Sequence, residues 1–214
     1  LTGFECSARF FRANINDSAD AATVGTWLDE QSEQAWAIMG SDTAWGRNSG
    51  ESFTQTAERL GRNIASEGYA ALGTNDFAPY IQSILDSGAE GVWVALAGRD
   101  AVNFAQQADQ FGLLDEVKVA GVSFVTDNTV RTLGDVSEGI YGIINYSSTL
   151  DTPENTAFVE AWAQKYPDSW PANFEGDTYV GMQLLFAAIE HAGSSEPAAI
   201  AEAMEGLTVN TIVG

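Results

Sequence analysis

The stretch "AWAIMGSDTAWGRNSGESF", residues 35–53, joins an apolar run to a turn and then to a helical pattern. The run 35–40 predicts a buried strand, and the spacing of apolar residues over 46–61 predicts a helix. A strand, a turn and a helix in succession form the repeating unit of α/β folds. Trp45 lies in the turn, directly after the strand, where a large aromatic side chain calls for an explanation.

The alternation of strands and helices continues along most of the chain. A repeated strand–helix order predicts a parallel sheet with helices on both faces, with right-handed crossovers. The first predicted helix has Asp17 or Ser18 as its N-cap. Further strands are predicted over 8–14, 62–68, 91–96, 117–121 and 139–145, and further helices over 17–31, 76–88, 99–112, 152–167, 177–193 and 196–206.

The pattern changes after residue 145, where helices follow one another. The segment 167–176 is rich in proline and aromatic residues and predicts a crossing between two lobes. We therefore expect one α/β lobe over 1–170 and an incomplete part of another lobe over 171–214. The first residue and the final "TVNTIVG" suggest a fragment, so the apolar helix 177–193 is expected to expose apolar surface and to favour self-association.

Composition excludes several classes of partner and site. The formal net charge of −21 argues against nucleic acids and anionic membranes, because their phosphates would be repelled. The single cysteine, Cys6, excludes an intrachain disulfide and a zinc site of paired cysteines. The sequence has no apolar run approaching the roughly 20 residues of a membrane span.

Signals of catalysis are weak. The single histidine, His191, lies near a predicted helix end, and no base accompanies Ser49 in a nucleophile motif. No glycine-rich phosphate or dinucleotide motif follows a strand, so no cofactor is expected. Asp42, Asp100 and Asp127 all lie near strand ends, where they could hold a cation or cap helices.

The segments that follow the predicted strands predict a binding pocket. Ligands of open parallel sheets bind outside the carboxyl ends of the strands. The segments there contain small residues, hydroxyl groups and aromatic rings, which suit a small-molecule pocket better than acid–base chemistry. They are 41–46, 97–100, 121–127 and 145–150.

Three side chains near these ends allow two interpretations each. Trp45 could pack between helix and sheet or form a pocket wall, and its small or polar neighbours favour the wall. Phe174, in a segment predicted to be irregular, has the same two alternatives. Arg99 could bind a carboxylate with two hydrogen bonds or lie on the surface at a helix start.

Several motifs resemble one known family. They are "FFRANIND", "WAIMGSDTAWGRNSGESF", "GTNDFAPYIQSILDSGAEGVWVALAGRDAVNFAQQADQFGL", "VAGVSF" and "GDTYVGMQLLFAAIEHAG". In family order and over nearly the whole chain, they resemble the extracytoplasmic solute-binding proteins of ABC importers, of the branched-chain amino acid type (type I periplasmic binding proteins). The resemblance implies two α/β lobes that close over a small solute, no catalysis, a membrane permease as partner and a periplasmic or extracytoplasmic location.

The resemblance also implies site residues. Trp45 corresponds to an aromatic wall, and Phe174 to an aromatic residue on the returning segment. Ala97 stands where amino acid binders often have tyrosine, and Ser123 where leucine-type binders have a glutamate that pairs with the ligand ammonium. These two departures favour another small solute, such as an amide, a urea-like compound or an organic or aromatic acid. The expected ligand-binding set is Trp45, Ala97, Gly98, Arg99, Ser123, Phe124 and Phe174.

Two other functions remain open from the sequence. The same lobes could form the ligand-sensing domain of a receptor or regulator. A flavodoxin-like hydrolase would need a nucleophile and a base in one cleft, and His191 alone does not supply them.

Overall fold

A computed structural model describes residues 7–214, apart from the side chains of residues 17 and 18. The chain forms two compact units: the sheet unit, Asn16–Ile144, and the helical unit, which combines the segment up to Ile15 with Asn145–Gly214. The sheet unit contains α1 (Asp17–Asp29), β1 (Ala35–Ser41), α2 (Ala44–Arg59), β2 (Asn63–Ala70), α3 (Ala78–Asp86), β3 (Gly91–Ala95), α4 (Gly98–Gln110), α5 (Leu113–Glu116), β4 (Lys118–Val122), α6 (Asp127–Leu133), a 3-10 turn (Gly134–Ser137) and β5 (Tyr141–Ile143). The helical unit contains α7 (Pro153–Lys165), α8 (Asn173–Ala192) and α9 (Pro197–Met204).

The five strands form one parallel sheet in the order β2-β1-β3-β4-β5. In this sheet Ile38 of β1 lies between Glu67 of β2 and Trp93 of β3. A parallel order requires each strand to be followed by a crossover, and the helices that alternate with the strands supply it. The predicted parallel sheet is therefore confirmed.

Helices cover both faces of the sheet. On one face, Trp36 and Ile38 of β1 pack in a core with α1 and α2, and on the other, Ala37 and Met39 pack with α3 and α4. Successive residues of a strand point to opposite faces, so both faces need apolar residues. That requirement explains why β1 and β3 are continuous apolar runs. It also confirms the prediction of helices on both faces.

Three aromatic rings form the centre of the core under α1 and α2. Phe53 stacks on Trp93, with ring centroids 4.9 Å apart and planes within 8°, and it also contacts Trp36. The indole Nε1–H of Trp93 donates a hydrogen bond to Ser49 Oγ at 3.1 Å, so this buried donor is satisfied. Ser49 has a structural role here.

Two predictions at the start of the chain are wrong. Residues 8–14 form turns and irregular backbone instead of a strand. They group with the helical unit, whose described residues include no strand that could pair with them, and an unpaired strand leaves its backbone groups unsatisfied. The N-cap of α1 is Asn16, whose Oδ1 accepts the backbone N–H of Ala19 at 3.0 Å.

The helical unit has its own small core, formed by Tyr146, Phe158, Val180 and Ile212. Its helix α8 begins at Asn173, earlier than the predicted 177, because Glu175 Oε2 accepts the backbone N–H of Ala172 at 3.1 Å and caps the helix. The two units divide after Ile144, while the assignment of 1–170 and 171–214 to two lobes stays a prediction.

One face of α8 exposes large apolar side chains. Tyr179, Met182 and Phe186 recur at helical spacing and are 40%, 41% and 57% exposed. A helix normally buries such a stripe against a neighbouring element. The predicted exposure of apolar surface on this helix is confirmed.

An ion pair lies at the amino end of β4. Lys118 Nζ is 2.7 Å from Glu33 Oε1 and 2.9 Å from Gln31 Oε1. Burial acts to raise the pKa of Glu33, but the hydrogen bond and charge of Lys118, with nearby backbone N–H groups, outweigh it and hold the pKa below its ordinary value. A depressed carboxyl pKa stabilises the fold above the unfolded-state pKa, and this contribution is lost as the pH falls through the folded-state value.

We predict that Glu33→Gln lowers the free energy of unfolding at pH 7 by about 1 kcal/mol or less, and that this loss disappears as the pH falls through the lowered folded-state pKa of Glu33. Glu58→Gln, on the exposed face of α2, removes the same charge without this ion pair and is the matched control. Denaturant unfolding at a series of pH values measures both variants. Equal effects of the two substitutions at pH 7 would contradict a stabilising role of the ion pair.

Candidate functional site

The predicted binding residues of the sheet unit lie at the carboxyl edge of the sheet. We call the turns after β1, β3 and β4, residues 41–46, 96–99 and 123–126, the rim. Because these strands are neighbours in the sheet, their following turns lie side by side. This edge is where parallel sheets bind ligands.

The first rim turn is fixed by two residues. Thr43 Oγ1 accepts the backbone N–H of Gly46 at 3.1 Å and lies 2.9 Å from Ser41 Oγ, so Thr43 caps α2. A β-carbon on Gly46 would overlap the Ser41 carbonyl oxygen and lie 2.6 Å from Ser41 Oγ. Glycine at this position therefore lets α2 begin directly against the end of β1.

Trp45 lies in the first turn of α2, and the expectation that it lies in a loop before the helix is corrected. Its side chain is partly buried and packs against the core under α1 and α2. The packing interpretation thus holds for part of the ring, while the pocket wall stays a prediction. The part that stays exposed offers flat apolar surface at the rim, with little entropy to lose on binding.

Charged and aromatic side chains stand beside Trp45. Arg47 Nε is 2.7 Å from Asp42 Oδ1, and the Arg47 guanidinium lies 4.5 Å from the centroid of the Tyr69 ring. Burial raises the pKa of the Tyr69 hydroxyl, and the nearby carboxylate of Glu67 raises it further. Asp42 is engaged in its ion pair with Arg47.

The second rim turn is open to solvent. Ala97, Gly98 and Arg99 are all exposed, and Gly98 has a φ of +57°, which favours glycine. The N-cap residue Ala97 provides no side-chain hydrogen bond to the N–H groups that begin α4. Arg99 Nη2 donates to Asn75 Oδ1 at 2.6 Å, which holds the guanidinium at the surface of the rim.

Sequence reasoning missed the residues that tie the loop after β2 to α4. Gln107 Nε2 donates to the Asn75 carbonyl oxygen at 2.9 Å, and Gln107 Oε1 accepts the Phe77 N–H at 2.8 Å. Asp100 Oδ2 accepts the Gly73 N–H at 2.9 Å. These partners are far apart in sequence, and no local pattern indicates that they meet. Asp100 is thus occupied in holding this loop.

The third rim turn corrects one predicted site residue. Ser123 is partly exposed and has a φ of +54°. The side chain of Phe124, in contrast, is fully buried and packs edge-to-face on Phe104 at a centroid distance of 5.9 Å. A ring with no exposed surface cannot contact a solute at the rim, so Phe124 is a core residue that supports the turn.

Phe174 belongs to the helical unit. It lies in the first turn of α8, not in an irregular segment as predicted, and is 60% exposed. It borders a groove of about 390 Å³ in which Phe158 stacks on Tyr179 at 4.2 Å. The groove is lined by Phe158, Trp162, Phe174, Glu175, Thr178, Tyr179 and Met182. That Phe174 and Trp45 contact the same solute stays a prediction.

The groups considered for catalysis or metal binding have other surroundings. His191 is exposed in the last turn of α8, as predicted. Over residues 7–214, no three histidine, cysteine, aspartate or glutamate side chains gather into a possible metal site. Cys6 lies outside the described residues.

Within residues 7–214, the helices are all too short or too polar to cross a membrane.

The chain is similar to known proteins of one family. The model of the periplasmic binding protein family matches residues 1–214. The Leu/Ile/Val-binding protein homolog 6 of Brucella melitensis is 28% identical over 189 residues, which cover 84% of this chain and 47% of that protein. The leucine-, isoleucine-, valine-, threonine- and alanine-binding protein of Pseudomonas aeruginosa is 26% identical over 208 residues, 95% of this chain and 54% of that protein.

A solved structure is similar over the same extent. The solute-binding protein of an ABC transporter from Rhodopseudomonas palustris HaA2, in complex with p-hydroxybenzoic acid, matches with a TM-score of 0.86 and 25% identity, covering 95% of this chain and 56% of that one. The chain spans about half the length of the curated relatives it matches. These relatives are named as binding proteins.

We predict that Gly46→Ala destabilises the sheet unit by about 1–3 kcal/mol, because the added β-carbon has no room beside Ser41. Gly181→Ala, in α8, is the control: its β-carbon would meet the Ala13 β-carbon at an ordinary 3.4 Å, and alanine favours the helix by about 0.5–1 kcal/mol. Denaturant unfolding should give shifts of opposite sign. A neutral Gly46→Ala would contradict the close contact between α2 and β1.

Proposed function

The chain belongs to the periplasmic binding protein family, and from that premise we propose that it forms part of the solute-binding component of an ABC importer. The complete protein binds a small solute between two lobes outside the cytoplasm and presents it to a membrane permease. Its role is binding and delivery without chemical change. The family match over the whole chain and the names of the relatives support this proposal.

The observation that carries the proposal is the position of Trp45. An indole ring costs little entropy to order and offers a large apolar face, so its presence at the carboxyl edge of a parallel sheet suits a pocket wall. The core fixes one part of the ring, and the rest stays exposed. A ring held in this way is already oriented for stacking before the solute arrives.

The rim favours an aromatic or other organic acid as the solute. Ala97 leaves space beside the start of α4, and Ser123 places no negative charge at the rim to pair with an ammonium group. The start of α4, which Ala97 leaves without a side-chain cap, and the guanidinium of Arg99 suit a carboxylate. The similar protein that binds p-hydroxybenzoic acid supports this class. A branched-chain amino acid is the alternative that the curated relatives support.

Binding is coupled to closure of the two lobes. A solute that contacts both lobes stabilises the closed form, in which all contacts exist, relative to the open form. Trp45 is the aromatic contact that its own lobe contributes. The permease then recognises the closed form.

We predict that Trp45→Ala weakens binding of 4-hydroxybenzoate by about tenfold or more, because a stacked aromatic pair contributes about 0.5–1.5 kcal/mol beyond buried area. Its effect on the thermal midpoint should be smaller than that of a core truncation, since the ring is only partly buried. Calorimetric titration with 4-hydroxybenzoate and with leucine measures affinity and solute class together.

The matched control is Phe111→Ala, which removes an aromatic ring that is 49% exposed at the far end of α4. This control should bind as the wild type does. Equal affinity of wild type and Trp45→Ala would refute the role of Trp45. A wild type that binds neither solute would refute the proposed solute classes.

A further inference from the structure

Ser123 has an unusual backbone conformation for its residue type. Among the described residues it is the one non-glycine residue with a positive φ, at +54°. In this region the β-carbon crowds the following carbonyl oxygen, and glycine is favoured. Strained residues of this kind cluster at ligand-binding sites. Within the described part of the chain, the partly exposed Ser123 hydroxyl makes no hydrogen bond.

The residue that follows Ser123 is buried against the strand. Phe124 turns back against β4, where a β-carbon on Gly121 would lie 2.8 Å from the Phe124 β-carbon and would overlap the Val94 carbonyl oxygen. The ring is then held by its contact with Phe104. The backbone bends over residues 123–125 directly after β4, and Ser123 is the first residue of that bend.

Thr129 closes the same turn from the other side. Thr129 Oγ1 accepts the Thr126 N–H at 2.6 Å, and its own proton is within reach of the carbonyl oxygens of Phe124, at 3.1 Å, and of Thr126, at 3.0 Å. Thr126 Oγ1 accepts the Thr129 N–H in return, at 3.4 Å. Both threonines are nearly fully buried, at 7% and 5% exposed. The Thr129 hydroxyl thus bonds to backbone groups of Phe124 and Thr126, the residues on either side of Val125.

We propose that Thr129 is a positioning residue: its hydroxyl holds the turn 124–126, keeps Ser123 in the left-handed conformation, and thereby holds the Ser123 hydroxyl at the rim as a polar contact for the solute. The inference rests on the proposed function, since it assigns the rim to solute binding. It extends that function to a buried residue that does not touch the solute. A turn that is already rigid loses less conformational entropy when the solute binds.

Four variants test the proposal. Thr129→Val removes the hydroxyl and nearly keeps the shape, and Thr129→Ser keeps the hydroxyl. Ser123→Ala keeps the strain and removes the hydroxyl, and Ser123→Gly removes both. Ser87→Ala is the stability control, because Ser87 Oγ donates to the Ile84 carbonyl oxygen at 2.6 Å at the end of α3, away from the rim.

The first measurement needs no solute. Amide hydrogen exchange of residues 123–126 should be about tenfold faster in Thr129→Val, return to the wild-type rate in Thr129→Ser, and stay unchanged in Ser87→Ala. Unchanged exchange at the turn in Thr129→Val overturns the inference, whatever the protein binds.

The second measurement is affinity for 4-hydroxybenzoate and for leucine by calorimetry. We expect about tenfold weaker binding in Thr129→Val and Ser123→Ala and wild-type binding in Thr129→Ser and Ser87→Ala. Ser123→Gly should raise the thermal midpoint and still bind weakly, which a purely structural role would not produce. Faster exchange with unchanged affinity overturns the inference. A wild type that binds neither probe refutes the proposed solute classes, and the exchange result then decides on Thr129.

Discussion

The contact between α2 and the end of β1 is the constraint on which the rest of the site depends. Gly46 lies so close to Ser41 that no side chain fits between them. This contact fixes where α2 begins, lets Thr43 cap it, and sets the ring of Trp45 in the first helical turn. A helix that began one turn later would leave the indole on an unsupported loop. A packing requirement of the backbone thus determines the position of the proposed ligand contact.

The other rim turns follow the same principle, in which buried residues hold exposed ones. Gln107 and Asp100 of α4 fix the loop after β2, and Asn75 of that loop holds Arg99. Phe124 and Thr129 hold the turn that follows Ser123. Binding residues carried on short loops need such support, because ordering a loose loop on binding costs affinity. The supporting residues are therefore as much part of the candidate site as the exposed ones.

The sequence predicted the sheet well because burial on both faces leaves a strong pattern. Strands such as 91–96 are continuous apolar runs between turn residues, and the helices on either side show regular spacing. The segment 8–14 failed because its aromatic residues resemble a strand, while a strand depends on a partner that local sequence does not show. The start of α8 was missed because the capping signal of Glu175 lies within a segment that two prolines make look irregular.

The position of the candidate residues at the sheet edge was predictable, but their packing and hydrogen bonds were not. That the carboxyl edge carries Trp45, Ala97 and Ser123 follows from a parallel sheet alone. The sequence does not show which aromatic ring stays exposed. Trp45 and Phe124 both closely follow a strand, and they differ only in tertiary packing. The hydrogen bonds of Gln107 and Thr129 depend on side-chain geometry, which no spacing reveals.

The central claim is that the exposed part of the Trp45 ring contacts a small solute. Fluorine NMR of the protein labelled with 5-fluorotryptophan tests it most directly, with the Trp45 resonance assigned by Trp45→Phe. On titration with 4-hydroxybenzoate or leucine, the account predicts that the Trp45 signal shifts with the bound fraction while the signals of buried Trp36 and Trp93 stay in place. Binding that leaves the Trp45 signal unchanged would contradict the account.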